Sequence, residues 1–132
     1  MIVDKGHVLH PLREITLDEI VYPTAVHAIC IANLYLNKVN IEYPEEFQAE
    51  TLLDMCDFTT EEWNSKAFNI VSRVVHAFFN CYGDELQQYS EEMLEGVITL
   101  DVGSKIGMIE EGESLRGANY WGRVIKIYLE NI

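Results

Sequence analysis

With 132 residues, 48% apolar and 23% charged, the chain has the size and composition of one globular domain with its own core. Its 22 acids outnumber 9 Lys and Arg, and the net charge of −13 argues against nucleic acid or anionic lipid as the main partner, since either would repel it. Cys30, Cys56 and Cys81 contain no C-x-x-C pair, so neither a zinc knuckle nor a disulfide framework is encoded, and a reducing compartment is expected.

Residues 1–16 read as an irregular arm, because Gly6 and Pro11 interrupt any repeat, and residues 17–132 as a single helical domain. The arm lacks the apolar run of a signal peptide, and no stretch reaches the roughly 18 apolar residues that a membrane span needs. A soluble, cytoplasmic protein is expected. His7 and His10 are three residues apart with Asp4 nearby, but no fourth ligand stands close, so no metal or other cofactor is expected.

A first helix is predicted over residues 24–38. Thr24 follows Pro23 and can cap it, and Val26, Ile29, Ile31, Ala32, Leu34, Tyr35 and Leu36 make it apolar on most sides, as a buried helix is. Residues 39–65 carry eight acids and no Lys or Arg, which reads first as a solvated face and second as a surface for a basic ligand. Pro44 breaks this stretch, and a short helix fits residues 45–55.

Thr59 followed by Glu62 is a capping-box signature. It opens the clearest helix of the chain, where Trp63, Ala67, Ile70, Val71, Val74, Val75, Phe78, Phe79 and Tyr82 recur at steps of three and four. Gly83 either ends or interrupts this helix. Apolar positions continue at Leu86, Tyr89, Met93 and Leu94 until Gly96. Residues 97–109, VITLDVGSKIGMI, alternate like a strand at first, yet Asp101 or Ser104 can cap a short helix; helix is favoured for consistency with the rest. Gly112 and Gly117 mark a loop. A last helix begins near Asn119, with Trp121, Val124, Ile125, Tyr128, Leu129 and Ile132 on one stripe. Strands and helices do not alternate as a parallel sheet requires, so the fold class is all-α, a helical bundle.

No catalytic constellation is apparent. Ser65, Ser72, Ser90, Ser104 and Ser114 lack a G-x-S-x-G setting, and Gly103, Gly107 and Gly112 form neither a dinucleotide fingerprint nor a Walker loop. His27 and His76 lie on apolar helices and read as structural. A non-enzyme is expected.

The stretch S-L-R-G-A-N-Y-W-G-R-V-I, residues 114–125, carries the functional signal. It resembles the first homology motif (BH1) of the Bcl-2 family of apoptosis regulators: leucine, a short link with glycine, asparagine-tryptophan-glycine-arginine, then a β-branched apolar pair. The glycine-to-tryptophan spacing is similar to that of the Mcl-1 branch. In the family asparagine directly precedes the tryptophan; here Tyr120 holds that place and Asn119 stands one residue earlier.

The resemblance implies a Bcl-2-like bundle around a central apolar helix, with a groove that receives an amphipathic BH3 helix from a pro-apoptotic protein. Arg123 inherits the pairing with a ligand aspartate, a role suited to a planar, permanently charged guanidinium. Gly122 is expected to let the ligand backbone come close, beside Trp121, Tyr120 and Asn119. Upstream, two registers of a groove helix stay open. Residues 79–86, FNCYGDEL, fit the BH3 pattern; alternatively Val71, Val74 and Phe78 form the ligand-like stripe, with Tyr82, Leu86, Tyr89 and Met93 as groove lining. Both place Phe78, Tyr82 and Leu86 near the groove, and Phe79 and Ile109 complete the candidate lining.

The family normally adds further helices and a second motif, and their reduction resembles that of viral relatives. An inhibitor of host apoptosis is therefore expected, cytoplasmic or peripheral at mitochondria. The apolar stripe still running at residue 132 suggests a homodimer through the last helix or the groove beside it. The alternative is an acidic all-α adaptor, in which the W-G-R match is accidental and the acids of residues 39–65 dominate partner binding.

Overall fold

The repeat that begins at Trp63 becomes the axis of the molecule. In the computed structural model, which describes residues 1–131, it forms α3 (Glu61–Leu86), 26 residues that pass through Gly83 without a break. Trp63, Ala67, Val71, Val74, Val75, Ala77, Phe78 and Leu86 are its buried positions, the single face that a period of 3.6 provides. The cap lies one residue later than the capping box suggests. Thr60 accepts a hydrogen bond from the Trp63 N–H at 3.2 Å. Thr59 instead donates its backbone N–H (2.9 Å) and hydroxyl (2.5 Å) to Asp57, holding that carboxyl below its ordinary range.

Before α3 come β1 (Ile2–Val3), β2 (Ile15–Leu17), β3 (Ile20–Tyr22), α1 (Ala25–Leu36) and α2 (Ala49–Met55). After it come α4 (Ser90–Glu95), β4 (Ile98–Thr99), α5 (Gly103–Ile106), β5 (Ile109–Glu111), β6 (Ser114–Arg116) and α6 (Tyr120–Glu130). Helix accounts for 55% and strand for 12%. The fold is mostly helical, but not all-α: β1 pairs with β4 in parallel, and β2–β3 and β5–β6 are antiparallel hairpins. Strands of two or three residues are too short to show alternation in the sequence.

Thr24 caps α1, accepting from the His27 N–H at 3.1 Å, and the His27 ring bridges the Thr24 hydroxyl (2.8 Å) and the Phe47 carbonyl (2.8 Å). Asn33, buried on the same helix, clamps the backbone of Asp57 by donating to its carbonyl (2.9 Å) and accepting from its N–H (3.1 Å). This fixes the approach to α3. Residues 97–109 are not one helix. They contain β4, a single turn at α5 and the start of β5, because the Thr99 carbonyl accepts from the Met108 N–H at 2.8 Å and folds the segment back on itself.

Residues 1–16 are not an appended arm. Val3 and Leu9 are fully buried, and His10 and Ile15 are 1% exposed. The segment crosses the start of α1, with Pro11 and Arg13 carbonyls accepting from Val26 and Ala25 N–H groups (3.3 and 2.9 Å). Its apolar residues lack a period because the segment is draped, not coiled. The His10 ring donates from Nε2 to the Leu100 carbonyl (2.7 Å) and accepts at Nδ1 from the Leu12 N–H (3.3 Å). Burial holds its pKa below the ordinary 6.5.

Helix α6 packs on α3 in parallel, with Tyr120 beside Trp63 and Phe68 and Tyr128 beside His76 and Phe79. Trp121, Val124 and Ile125 are buried, and Tyr128 and Leu129 are half-buried against the core. Ile132 lies outside the described residues. The stripe from which a homodimer was expected is thus largely covered by α3, α4 and the N-terminal segment of the same chain. Among the described residues no helix is long and apolar enough to cross a membrane.

Candidate functional site at the seam of α3 and α6

The β5–β6 hairpin delivers the chain to α6 through Gly117, whose φ of +148° and 2.5 Å distance from a would-be Cβ to the Ser104 carbonyl oxygen admit only glycine. Asn119 follows in the left-handed region (φ 50°, ψ 46°), which a short polar side chain tolerates. Its Nδ2 donates to the Val97 carbonyl at 2.7 Å and its Oδ1 accepts from the Thr99 N–H at 3.3 Å. Asn119 straps the start of α6 to β4.

Gly122 serves the same strap. A Cβ there would lie 1.9 Å from the Val97 carbonyl oxygen. The close approach expected of a ligand backbone is therefore made by the chain's own backbone, which corrects the expected role of Gly122. Trp121 is fully buried; its indole N–H donates to the Leu9 carbonyl at 3.0 Å and its ring meets Phe78 edge-on at 5.1 Å. It is a core anchor.

Arg123 faces outward, and Tyr120 beside it is half-buried against the core. The Arg123 guanidinium lies over the Phe68 ring at 4.9 Å and 5.7 Å from the Tyr120 ring, and it donates to the Ala118 carbonyl at 3.3 Å. Phe68, 39% exposed, meets Tyr120 edge-on at 5.4 Å. Three of the four arginines pair with a carboxylate: Arg13 with Glu85 (3.2 Å), Arg73 with Asp18, and Arg116 with Glu111. Among the described residues Arg123 is the exception, held on an aromatic shelf without a carboxylate partner in a chain rich in acids.

The other end of the seam holds a cavity of about 310 Å³ bounded by Phe79, Leu86, Met93, Tyr128 and Leu129. Leu86 and Met93 are its buried floor, and Phe79 and Tyr128 stack at 4.7 Å. Five residues separate Arg123 from Tyr128, roughly 7.5 Å along the helix axis. Ile127, one turn after Arg123 and 49% exposed, lies on the same outer side.

Other expected lining residues lie elsewhere. Val71, Val74 and Phe78 are core residues with at most 1% exposure. Tyr82 turns to the N-terminal segment: its hydroxyl donates to the Glu14 carbonyl, and Arg13 lies 3.7 Å above its ring. Tyr89 packs on His7 at 5.3 Å, and Ile109 pairs with Arg116 in the β5–β6 hairpin. These six side chains correct the expected lining. Phe68 escaped the sequence reading, although its place off the core repeat of α3 marked it as an aromatic on the solvent side.

Among the described residues no three His, Cys, Asp or Glu side chains form a metal-binding group. The neighbouring Cys56 thiol and burial both push the Cys30 thiol far above its ordinary range, so it is a poor nucleophile. No protein-family model matches the chain, nor does any curated protein or solved structure.

Proposed function

We propose that the protein is a binding module that takes an amphipathic partner helix along the α3–α6 seam. The helix is a BH3 segment of a pro-apoptotic protein, and its capture in the cytoplasm or at the mitochondrial surface of a host cell restrains cell death. Arg123 carries the reading: among the described residues it is the one arginine with no carboxylate, and Phe68 and Tyr120 hold it in place. A ligand aspartate fits its guanidinium with two hydrogen bonds. Apolar ligand side chains about one and a half turns further along fit the cavity at Phe79, Tyr128 and Leu129. The identity of the ligand and the direction of the effect rest on the resemblance of residues 114–125 to BH1.

Calorimetry with a panel of BH3 peptides tests this. At least one peptide should bind, and Arg123→Ala should weaken it by about tenfold or more, as removal of one partner from a desolvated charge pair does. Phe68→Ala should weaken it less, through loss of the shelf. Silence from every peptide refutes the proposal.

A second reading is favoured by Gly122 and Asn119, whose hold on Val97 gives the W-G-R segment a structural reason to exist without a ligand. The protein is then an acidic helical adaptor, and the exposed acids Glu42, Glu45, Glu46, Glu50, Asp54 and Asp57 receive a basic partner. Charge reversal in that segment would abolish partner binding and its salt dependence, and Arg123→Ala would be silent.

A further inference from the structure

The opposite side of α3 carries a second site. The β2–β3 hairpin, α1 and α3 line an open cleft of about 380 Å³, in the size range of small-ligand pockets. Its lining is mainly apolar, with the small side chains of Ala28 and Ala32 on α1, Ile70 on α3, and Leu17 and Ile20 on the hairpin. Two cations, Lys66 and Arg73, stand at the mouth two helical turns apart.

The mouth is latched. Asp18 at the tip of the hairpin pairs with Arg73, and both side chains remain well exposed at 68% and 64%. The register Leu17↔Ile20 leaves Asp18 and Glu19 as a two-residue turn, and both adopt left-handed backbone (φ 52° and 68°). Such a turn favours Asn-Gly, and a glutamate in it is strained. The hairpin thus keeps an unfavourable turn that sets a carboxylate on Arg73.

We propose that this cleft binds a small apolar carboxylate, of the class of medium-chain fatty acids, whose tail lies over Ala28, Ala32 and Ile70 and whose carboxylate replaces Asp18 on Arg73. Charge complementarity selects the anion: the chain as a whole is acidic, but acids beyond roughly 10 Å are screened by salt, and at the mouth Arg73 already holds a carboxylate, that of Asp18, which a ligand carboxylate can replace while Lys66 stands two turns away. Shape selects the tail. A helix with its side chains is about 10–12 Å across, too wide to sink into a cleft of about 380 Å³ between the hairpin and the two helices, whereas an alkyl chain fits.

The test is a calorimetric titration of the full chain with hexanoate, octanoate and decanoate below their micellar concentrations, with octanol as the uncharged control. Affinity should rise about fourfold per added methylene, and octanoate should bind more tightly than octanol. Arg73→Gln should weaken octanoate by about tenfold, the scale of a hydrogen bond to a charged group, and leave octanol unchanged. Asp18→Asn removes the internal competitor and suits the turn, so octanoate should bind severalfold more tightly; Glu19→Gln, which neutralises the neighbouring acid, should not do this. If Arg73→Gln unfolds the chain, the contrast between Asp18→Asn and Glu19→Gln decides alone. Absence of binding by octanoate and decanoate overturns the proposal, as does an equal gain in the two turn variants. Binding of an acidic amphipathic peptide to this face, with no fatty carboxylate bound, also overturns it.

Discussion

Gly122 and His10 show how much a single side chain, or the lack of one, governs here. A methyl group at position 122 would meet the Val97 carbonyl oxygen at 1.9 Å, a backbone atom held in place by Asn119. Gly122→Ala is therefore expected to lower stability by about 1–3 kcal/mol or more, the usual cost of overpacking. Thermal unfolding checks this; unchanged stability with weakened peptide binding would return Gly122 to the ligand. His10 makes the fold sensitive to acid. Its unfolded imidazole takes a proton near its ordinary pKa of 6.5, and the buried one only at lower pH. Between those points the unfolded state holds more protons, so stability is full above that ordinary value and falls as pH drops below it. Unfolding curves at about pH 7.5 and about pH 5.5 should differ in the native chain, and much less in His10→Gln.

At the scale of elements, the start of a helix is decided by which hydroxyl reaches its free N–H groups. Thr60 caps α3, and Thr59 is engaged with Asp57 instead. Thr60→Ala should cost about 1 kcal/mol in denaturant unfolding, the typical value of a lost cap. Thr59→Ala should cost less, because its bonds to Asp57 are exposed. The N-terminal segment is the other element whose role is measurable. The Leu9 carbonyl accepts the indole N–H of Trp121, and Val3 and Leu9 fill the core. Deleting residues 1–10 should abolish cooperative unfolding and red-shift the tryptophan emission, since Trp121 loses its cover. A dispensable arm would leave both unchanged.

Among the described residues, the core is closed by elements of one chain. Because Trp121, Val124 and Ile125 are buried and Tyr128 and Leu129 are partly covered, α6 offers no broad apolar face to a second copy. Sedimentation equilibrium from low to high micromolar concentration should give the monomer mass. A dimer mass would return an interface to the seam beside α6, and competition by BH3 peptides would locate it there. The two proposed sites lie on opposite sides of α3, so Arg123→Ala and Arg73→Gln should each affect only its own ligand.

The helices whose apolar repeat runs for several turns are legible in the order of the amino acids. α3 is legible from Trp63 onward, and α1 and α6 are legible within a residue or two, because each turn repeats the same in-or-out choice. Thr24 was legible as a cap, being adjacent to the N–H groups it serves. The short strands, the packed N-terminal segment and the internal use of Gly122 and Asn119 were decided by tertiary structure. So was the feature on which the proposed function rests. Arg13 finds Glu85 and Arg73 finds Asp18 across 72 and 55 residues of chain, and Arg123 is left to the ring of Phe68. Pairings between remote segments depend on how the elements pack, and they leave no periodic mark in the sequence.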